Sequence, residues 1–194
     1  MTKRTIVLWM TMALMGTGCA GRSLVRPQPD TLVLGKTTRE EIMQRLGEPA
    51  STTGVVKNEH ALTAVRYVIR ALLALPPNHP TMDFLFLEGV LVGYRYSSAL
   101  PNDTTDFDDT KVYQLKKGQT TRAQVIELLG PPSGMYIYPL ISSRTETGLV
   151  YFFRGLKMEG FFKRRIIAIH KLVVVTFDVD DVVTGAELGS GGDK

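Results

Sequence analysis

The amino-acid sequence predicts an α+β fold built from two tandem helix-plus-antiparallel-sheet repeats. Three observations carry that expectation: a fifteen-residue stretch that recurs, helix start and stop signals at both occurrences, and a hairpin pattern at the same relative place downstream of each. Gly35-Lys36-Thr37-Thr38-Arg39-Glu40-Glu41-Ile42-Met43-Gln44-Arg45-Leu46-Gly47-Glu48-Pro49 aligns without a gap on Gly118-Gln119-Thr120-Thr121-Arg122-Ala123-Gln124-Val125-Ile126-Glu127-Leu128-Leu129-Gly130-Pro131-Pro132, and seven of the fifteen positions are identical. The repeat units are read as residues 32–100 and 115–188.

Each copy opens on a short helix. Thr38 with Glu41, and Thr121 with Gln124, have the Thr-x-x-Glu/Gln spacing of a capping box, in which a hydroxyl and the N3 side chain satisfy backbone N–H groups reciprocally. Gly47 and Gly130 stand where a left-handed residue closes the last turn, and Pro49 and Pro132 forbid continuation. A helix of under three turns does not persist alone in water, so it must dock. Ile42, Met43 and Leu46 in one copy, and Val125, Ile126 and Leu129 in the other, supply the apolar face, and a sheet is the expected support.

The sheet reads as hairpins. Asp83–Leu87, a Glu88-Gly89 turn and Val90–Tyr96 form one; Leu172–Val179, Asp180-Asp181 and Val182–Gly185 form the other. Before each comes a further match, Tyr67–Leu72 against Tyr151–Leu156. Leu62, Val65, Val68, Ile69, Leu72 and Leu73 also satisfy a helical period, with Asn58 as cap; the second copy, Tyr151-Phe152-Phe153-Arg154, favours a strand at 65–73. The expected order is helix, strand, strand, strand, twice over. Residues 101–114, with Asp103, Asp106, Asp108 and Asp109, read as an acidic linker, and 189–194 as a flexible tail.

The N-terminus has a separate logic. Lys3 and Arg4 precede an apolar run from Ile6 to Met15, then the small residues Gly16, Thr17 and Gly18, and then Cys19, the one cysteine in the sequence. The apolar run is about a dozen residues, against roughly 20 for a membrane-spanning helix. A lone cysteine pairs with nothing in its own chain, which points to covalent attachment. Gly-Thr-Gly-Cys resembles the lipobox of bacterial lipoproteins, although Gly16 stands where that pattern prefers leucine. An ordinary secretory signal is the alternative. Residues 1–18 are thus expected to be a lipoprotein signal peptide and 19–31 a lipidated tether. Ala20, rather than Asp, after the cysteine implies by resemblance an outer-membrane protein facing the periplasm. Two or three acyl chains, at ~0.8 kcal/mol per buried CH₂, would hold it there.

Removing residues 1–18 takes away Lys3 and Arg4 and lowers the formal net charge from +4 to +2. That is too small an excess to predict a nucleic-acid partner. With no second cysteine, stability must come from a packed core.

The paired motif resembles the SmpA/OmlA, or BamE-like, lipoprotein domain, whose pattern is a Gly-x-Thr start, a short helix, a Leu-Gly-x-Pro end and an antiparallel sheet. Two such units in tandem are similar in architecture to the beta-lactamase inhibitor protein, where joined sheets make a concave binding face. The resemblance implies a non-enzymatic protein-binding role with a periplasmic or outer-membrane partner, in envelope or β-barrel protein assembly; the alternative it implies is a lipid-anchored inhibitor of an enzyme.

Residues of catalytic type do not assemble into a known pattern. His60, His79 and His170 lie in no metal-ligand spacing, and there is no Gly-x-Ser-x-Gly elbow or phosphate-binding glycine loop. The acidic residues 103–109 lack the spacing of an EF-hand and read as solvated linker. No enzyme, cofactor or metal is therefore expected. Two segments are candidate partner contacts. Tyr136 and Tyr138 lie in a proline-bounded stretch and would serve if they face outward, since tyrosine is enriched at interface hot spots; as buried strand residues they would not. Phe161 and Phe162, beside Lys163-Arg164-Arg165, are aromatic and basic, suited to a hairpin tip that touches a partner or anionic headgroups.

Overall fold

The computed structural model describes residues 32–69, 79–159 and 165–190. Along the chain come α1 (Arg39–Leu46), β1 (Ser51–Lys57), β2 (His60–Val68), β3 (Thr81–Leu87) and β4 (Val90–Ser97). A 3-10 helix (Asp109–Gln114) then leads to α2 (Arg122–Leu129), β5 (Gly134–Tyr136), β6 (Thr147–Glu159), β7 (Arg165–Phe177) and β8 (Val183–Ser190). The strands form one eight-stranded antiparallel sheet in the order β1 to β8, so every strand pairs with its neighbours in sequence.

This corrects the expected fold class. The chain is mostly β with some helix, and its strands do not divide into two helix-on-sheet units, because β4 pairs with β5 (Gly93 opposite Tyr136, Tyr94 opposite Met135, Arg95 opposite Gly134) and makes the sheet continuous. Each helix is followed by four strands rather than three. The strands missing from the expected order are the three-residue β5 and β1, whose Ser-Thr-Thr-Gly-Val-Val-Lys is exposed throughout and so has no alternation of apolar and polar residues to betray it. Asn58, considered as a helix cap, instead shares a two-residue turn with Glu59. Both have positive φ, +47° and +66°, the backbone that matches the twist of a tight hairpin. Tyr67 and Val68 belong to strand β2, as the extended reading of 65–73 requires; residues 70–73 of that stretch lie outside the described residues.

Both helices lie on the same face of the sheet. Ile42 of α1 packs with Val65, Tyr67, Met82, Phe84, Phe86, Leu91, Tyr94 and Tyr96. Val125 and Leu129 of α2 pack with Leu149, Tyr151, Phe153, Val173, Val175, Phe177 and Val183. Tyr94, Met135 and Leu149 are direct cross-strand partners and therefore project to one side, which carries the core from one helix to the other. Ile126, expected on the docking face, is instead 37% exposed; a 100° step per residue turns it away once Val125 and Leu129 face the sheet.

The segment expected to be a solvated linker is packed as well. Phe107 and Val112 are buried in the α2 core, and Phe107 meets the Tyr151 ring with centroids 5.6 Å apart. Lys171 Nζ donates to Asp106 Oδ1 and to the Phe107 carbonyl, both at 2.9 Å, which fixes the acidic stretch to β7. At the other end, Gly189 and Ser190, read as tail, are the last rungs of β8, opposite Leu172 and Lys171.

Candidate functional site

The repeated motif is the first candidate to place, and it is structural. In both copies the capping box is complete: Thr38 accepts from the Glu41 amide while Glu41 accepts from the Thr38 amide, and Thr121 and Gln124 do the same. Each helix start also docks on a distant turn. Gly35 N–H donates to the Leu91 carbonyl and Arg39 N–H to the Gly89 carbonyl; Gly118 N–H donates to Val183 and Arg122 N–H to Asp181. The first threonine of each pair, Thr37 or Thr120, accepts from the amide four residues before it. Gly47 and Gly130 have φ of +82° and +84° with ψ of −158° and −172°, an extended backbone confined to glycine rather than the expected left-handed turn. Pro49 and Pro132 follow just after. Each glycine carbonyl accepts from a tyrosine of the sheet, Tyr67 Oη for Gly47 at 2.9 Å and Tyr151 Oη for Gly130 at 3.2 Å.

The opposite face of the sheet is where a site can form. Its centre is covered by the segment after β5: Ile137, Leu140 and Ile141 pack on Leu62, Leu85, Val92, Tyr136, Val150, Phe152 and Val174. Tyr138 closes that segment against the β1–β2 hairpin. Its hydroxyl lies 2.8 Å from His60 Nε2, and Arg144 stacks on its ring at 4.1 Å. Asn58 Nδ2 donates to the Pro139 and Ile141 carbonyls at 2.9 and 3.2 Å. Tyr136, by contrast, is buried at 7% exposure and presents no contact surface. Of the four proposed partner contacts, then, Tyr136 is interior and Tyr138 half-buried. Phe161, Phe162 and Cys19 lie outside the described residues.

Two hollows flank the covered centre. One, of about 330 Å³, is lined by Val55 and Lys57 of β1 together with Leu172, Val174, Glu187 and Gly189 of β7 and β8. Residues from both edges of the sheet thus border one space, so the face is concave although β1 and β8 do not pair. The other, of about 350 Å³, is lined by Ser51, Thr53, Val55, Ala64, Arg66, Asp83, Leu85 and Arg95.

At the floor of this second hollow sits an ion network absent from the sequence reading. Asp83, with a side chain 7% exposed, accepts from Arg66 Nε at 2.6 Å, Arg66 Nη2 at 2.9 Å and Arg95 Nε at 3.0 Å. Arg95 also stacks on the Phe152 ring at 4.2 Å. Burial pushes the Asp83 carboxyl up, but the hydrogen bonds and charges of the two guanidiniums outweigh it and hold the carboxyl below its ordinary value. The Arg66 guanidinium is raised in turn, chiefly by its hydrogen bond to Asp83. A signal for this network was available: Met82-Asp83-Phe84-Leu85-Phe86-Leu87 places one carboxylate in a buried apolar strand, and such a charge needs partners.

Among the described residues, no three His, Cys, Asp or Glu side chains converge on a point that would hold a metal, and no helix is long and apolar enough to cross a membrane. No protein-family model matches the chain and no curated protein matches it, so the SmpA/OmlA resemblance rests on the motif residues alone. Among solved structures, the fold is similar to the crystal structure of a Streptococcus mutans protein provisionally named a beta-lactamase inhibitor protein. The TM-score is 0.41 and the identity 12%, with 79% of this chain and 82% of that chain covered. That is a likeness of outline and carries no argument about activity.

Proposed function

We propose that this chain is a non-enzymatic protein-binding module, held by lipid on Cys19 at the periplasmic side of the outer membrane, which receives its partner on the sheet face opposite the helices. The observation that supports this reading is the concave face itself. Eight strands present one continuous surface, the helices occupy the other side, and hollows remain at both ends of the covered centre. A hollow bordered by several strands suits a projecting loop or strand of a partner. Seating such an element is the geometry by which one protein occludes another, and this favours inhibition of an envelope enzyme over membership of the barrel-assembly machinery, for which the motif resemblance is the support.

The test is affinity purification of the full chain from detergent-solubilised membranes, repeated with Thr53→Trp, which fills the hollow beside β1 without changing its charge, and with Glu127→Arg on the helix side. A stoichiometric partner lost with Thr53→Trp and kept with Glu127→Arg is the expected result. Loss with Glu127→Arg alone would place the contact on the helices and end the proposal. If the captured partner is an enzyme, its activity with and without one equivalent of this protein separates inhibition from scaffolding. The anchor has its own check: Cys19→Ser is expected to move the protein from the membrane to the soluble fraction.

A further inference from the structure

The Arg66–Asp83–Arg95 network holds more cation than it neutralises. Two guanidiniums carry about ten N–H donors between them, and three of these reach Asp83. Among the described residues no second carboxylate lines the hollow; its other walls are Ser51, Thr53, Val55, Ala64, Val65 and Leu85. The arginines are 36% and 25% exposed, so both remain within reach of a ligand, and Asp83 and the Phe152 ring hold them in fixed orientation. Arg66 gives its Nε and Nη2 to the two oxygens of Asp83 and Arg95 gives its Nε to one of them, so what a ligand meets is the remaining Nη hydrogens, charge-assisted donors that suit a carboxylate.

A second observation indicates what brings the carboxylate. The hollow lies directly inside β1, which among the described residues is an edge strand of the sheet with one neighbour, β2, and Ser51 stands opposite Arg66 in the β1–β2 register. A strand added outside β1 would lie about 4.8 Å further out. A glutamate on that strand, on the same face as Ser51, is then about two strand spacings from the Arg66 backbone and reaches over β1 toward the Arg66 donors that Asp83 does not take, while Arg95, two strands further in on β4, adds its charge rather than a direct contact. Edge addition supplies affinity through backbone hydrogen bonds, and side-chain contacts supply the selection.

From this geometry we propose that the hollow is a carboxylate-binding site, and that its occupant is an acidic extended segment of the partner protein laid along the free edge of β1. The proposal rests on the protein-binding reading of this face and adds the chemistry of what is bound. Charge complementarity selects an acidic segment over a neutral one, and the open edge selects an extended chain over a small free acid.

The probes are a capped hexapeptide of alternating glutamate and threonine, its glutamine counterpart, and acetate, each titrated into the detergent-solubilised full chain while the arginine Nε–H signals are followed by NMR. The acidic peptide is expected to shift the Arg66 signal more than the Arg95 signal, to bind about tenfold or more tightly than the glutamine peptide, and to weaken with salt. Thr53→Glu, which supplies a carboxylate from the exposed β1 without touching the network, is expected to abolish binding, while Arg66→Lys is expected to weaken it. Equal binding of both peptides, or acetate matching the acidic peptide, would overturn the proposal. If Thr53→Trp abolishes partner capture but the acidic peptide fails to bind, the site chemistry is wrong and the binding face stands. If capture is unaffected by Thr53→Trp, the face itself is wrong.

Discussion

Asp83 shows how one residue ties stability to the candidate site. Its carboxylate is buried, so removing its charge leaves two guanidiniums facing each other over the Phe152 ring and Leu85. Breaking a buried pair costs roughly 3–5 kcal/mol; because the guanidiniums are partly exposed and regain water, Asp83→Asn is expected near the lower end, about 3 kcal/mol, by chemical denaturation at pH 7. The pH dependence follows from the direction of the shift. A carboxyl held below its ordinary 3.8 in the folded state contributes stability that is fully present above that value and is lost as pH falls through the lower, folded value. The acid limb of the stability profile should therefore be shallower in Asp83→Asn than in the wild type, and parallel limbs would mean that this carboxyl is not the group titrating.

Among the elements, the two helices were legible in the sequence because their determinants are local. Thr38, Glu41, Thr121 and Gln124 act within one turn, and both capping boxes are formed as the spacing indicates. The hairpins around Glu88-Gly89 and Asp180-Asp181 were legible for the same reason: a short polar or glycine pair between two apolar runs marks a turn, and Glu88, Gly89 and Asp181 take the positive φ it needs. What the sequence did not yield depends on distant partners. Ser51–Lys57 becomes a strand because β2 offers it an edge, and the Asp103–Asp109 stretch is ordered by Lys171, about sixty residues away. The docking of each helix start on a remote turn was hidden likewise, and it makes the threonines do more than cap. Thr121→Ala removes a cap worth about 1 kcal/mol, whereas Thr120→Ala removes the hydroxyl that closes the Lys116 turn ahead of the Gly118–Val183 contact. Hydrogen exchange should separate the two. Loss of protection in α2 alone is expected for Thr121→Ala, and loss extending to Val183 on β8 for Thr120→Ala; identical patterns would show that docking and capping are one event.

For the whole molecule, the continuity that replaces the expected pair of units depends on a narrow joint. β5 contributes three residue pairs to β4 and three to β6, and the preceding residue reinforces them: Ser133 N–H donates to the Val150 carbonyl, its carbonyl accepts from Tyr96 N–H, and its hydroxyl accepts from Phe152 N–H at 2.7 Å. At the centre of the joint is Gly134, where a Cβ would stand 2.0 Å from the Tyr94 carbonyl oxygen and 2.7 Å from Arg95 Cα, both backbone atoms that no rotamer change can move. Gly134→Ala must therefore push β4 and β5 apart, at a cost on the order of 3 kcal/mol or more, and the displacement falls on the residue that holds Arg95 over the second hollow. Gly54→Ala is the matched comparison, since a Cβ on β1 there meets nothing within 4 Å and replaces a flexible residue in a strand. Thermal unfolding followed by circular dichroism should show Gly134→Ala well below wild type and Gly54→Ala at or slightly above it. If the two alanines behave alike, close approach at the joint is not what binds the eight strands into one surface, and the concave face would have to be maintained by the Tyr138–His60 and Asn58–Pro139 contacts across it instead.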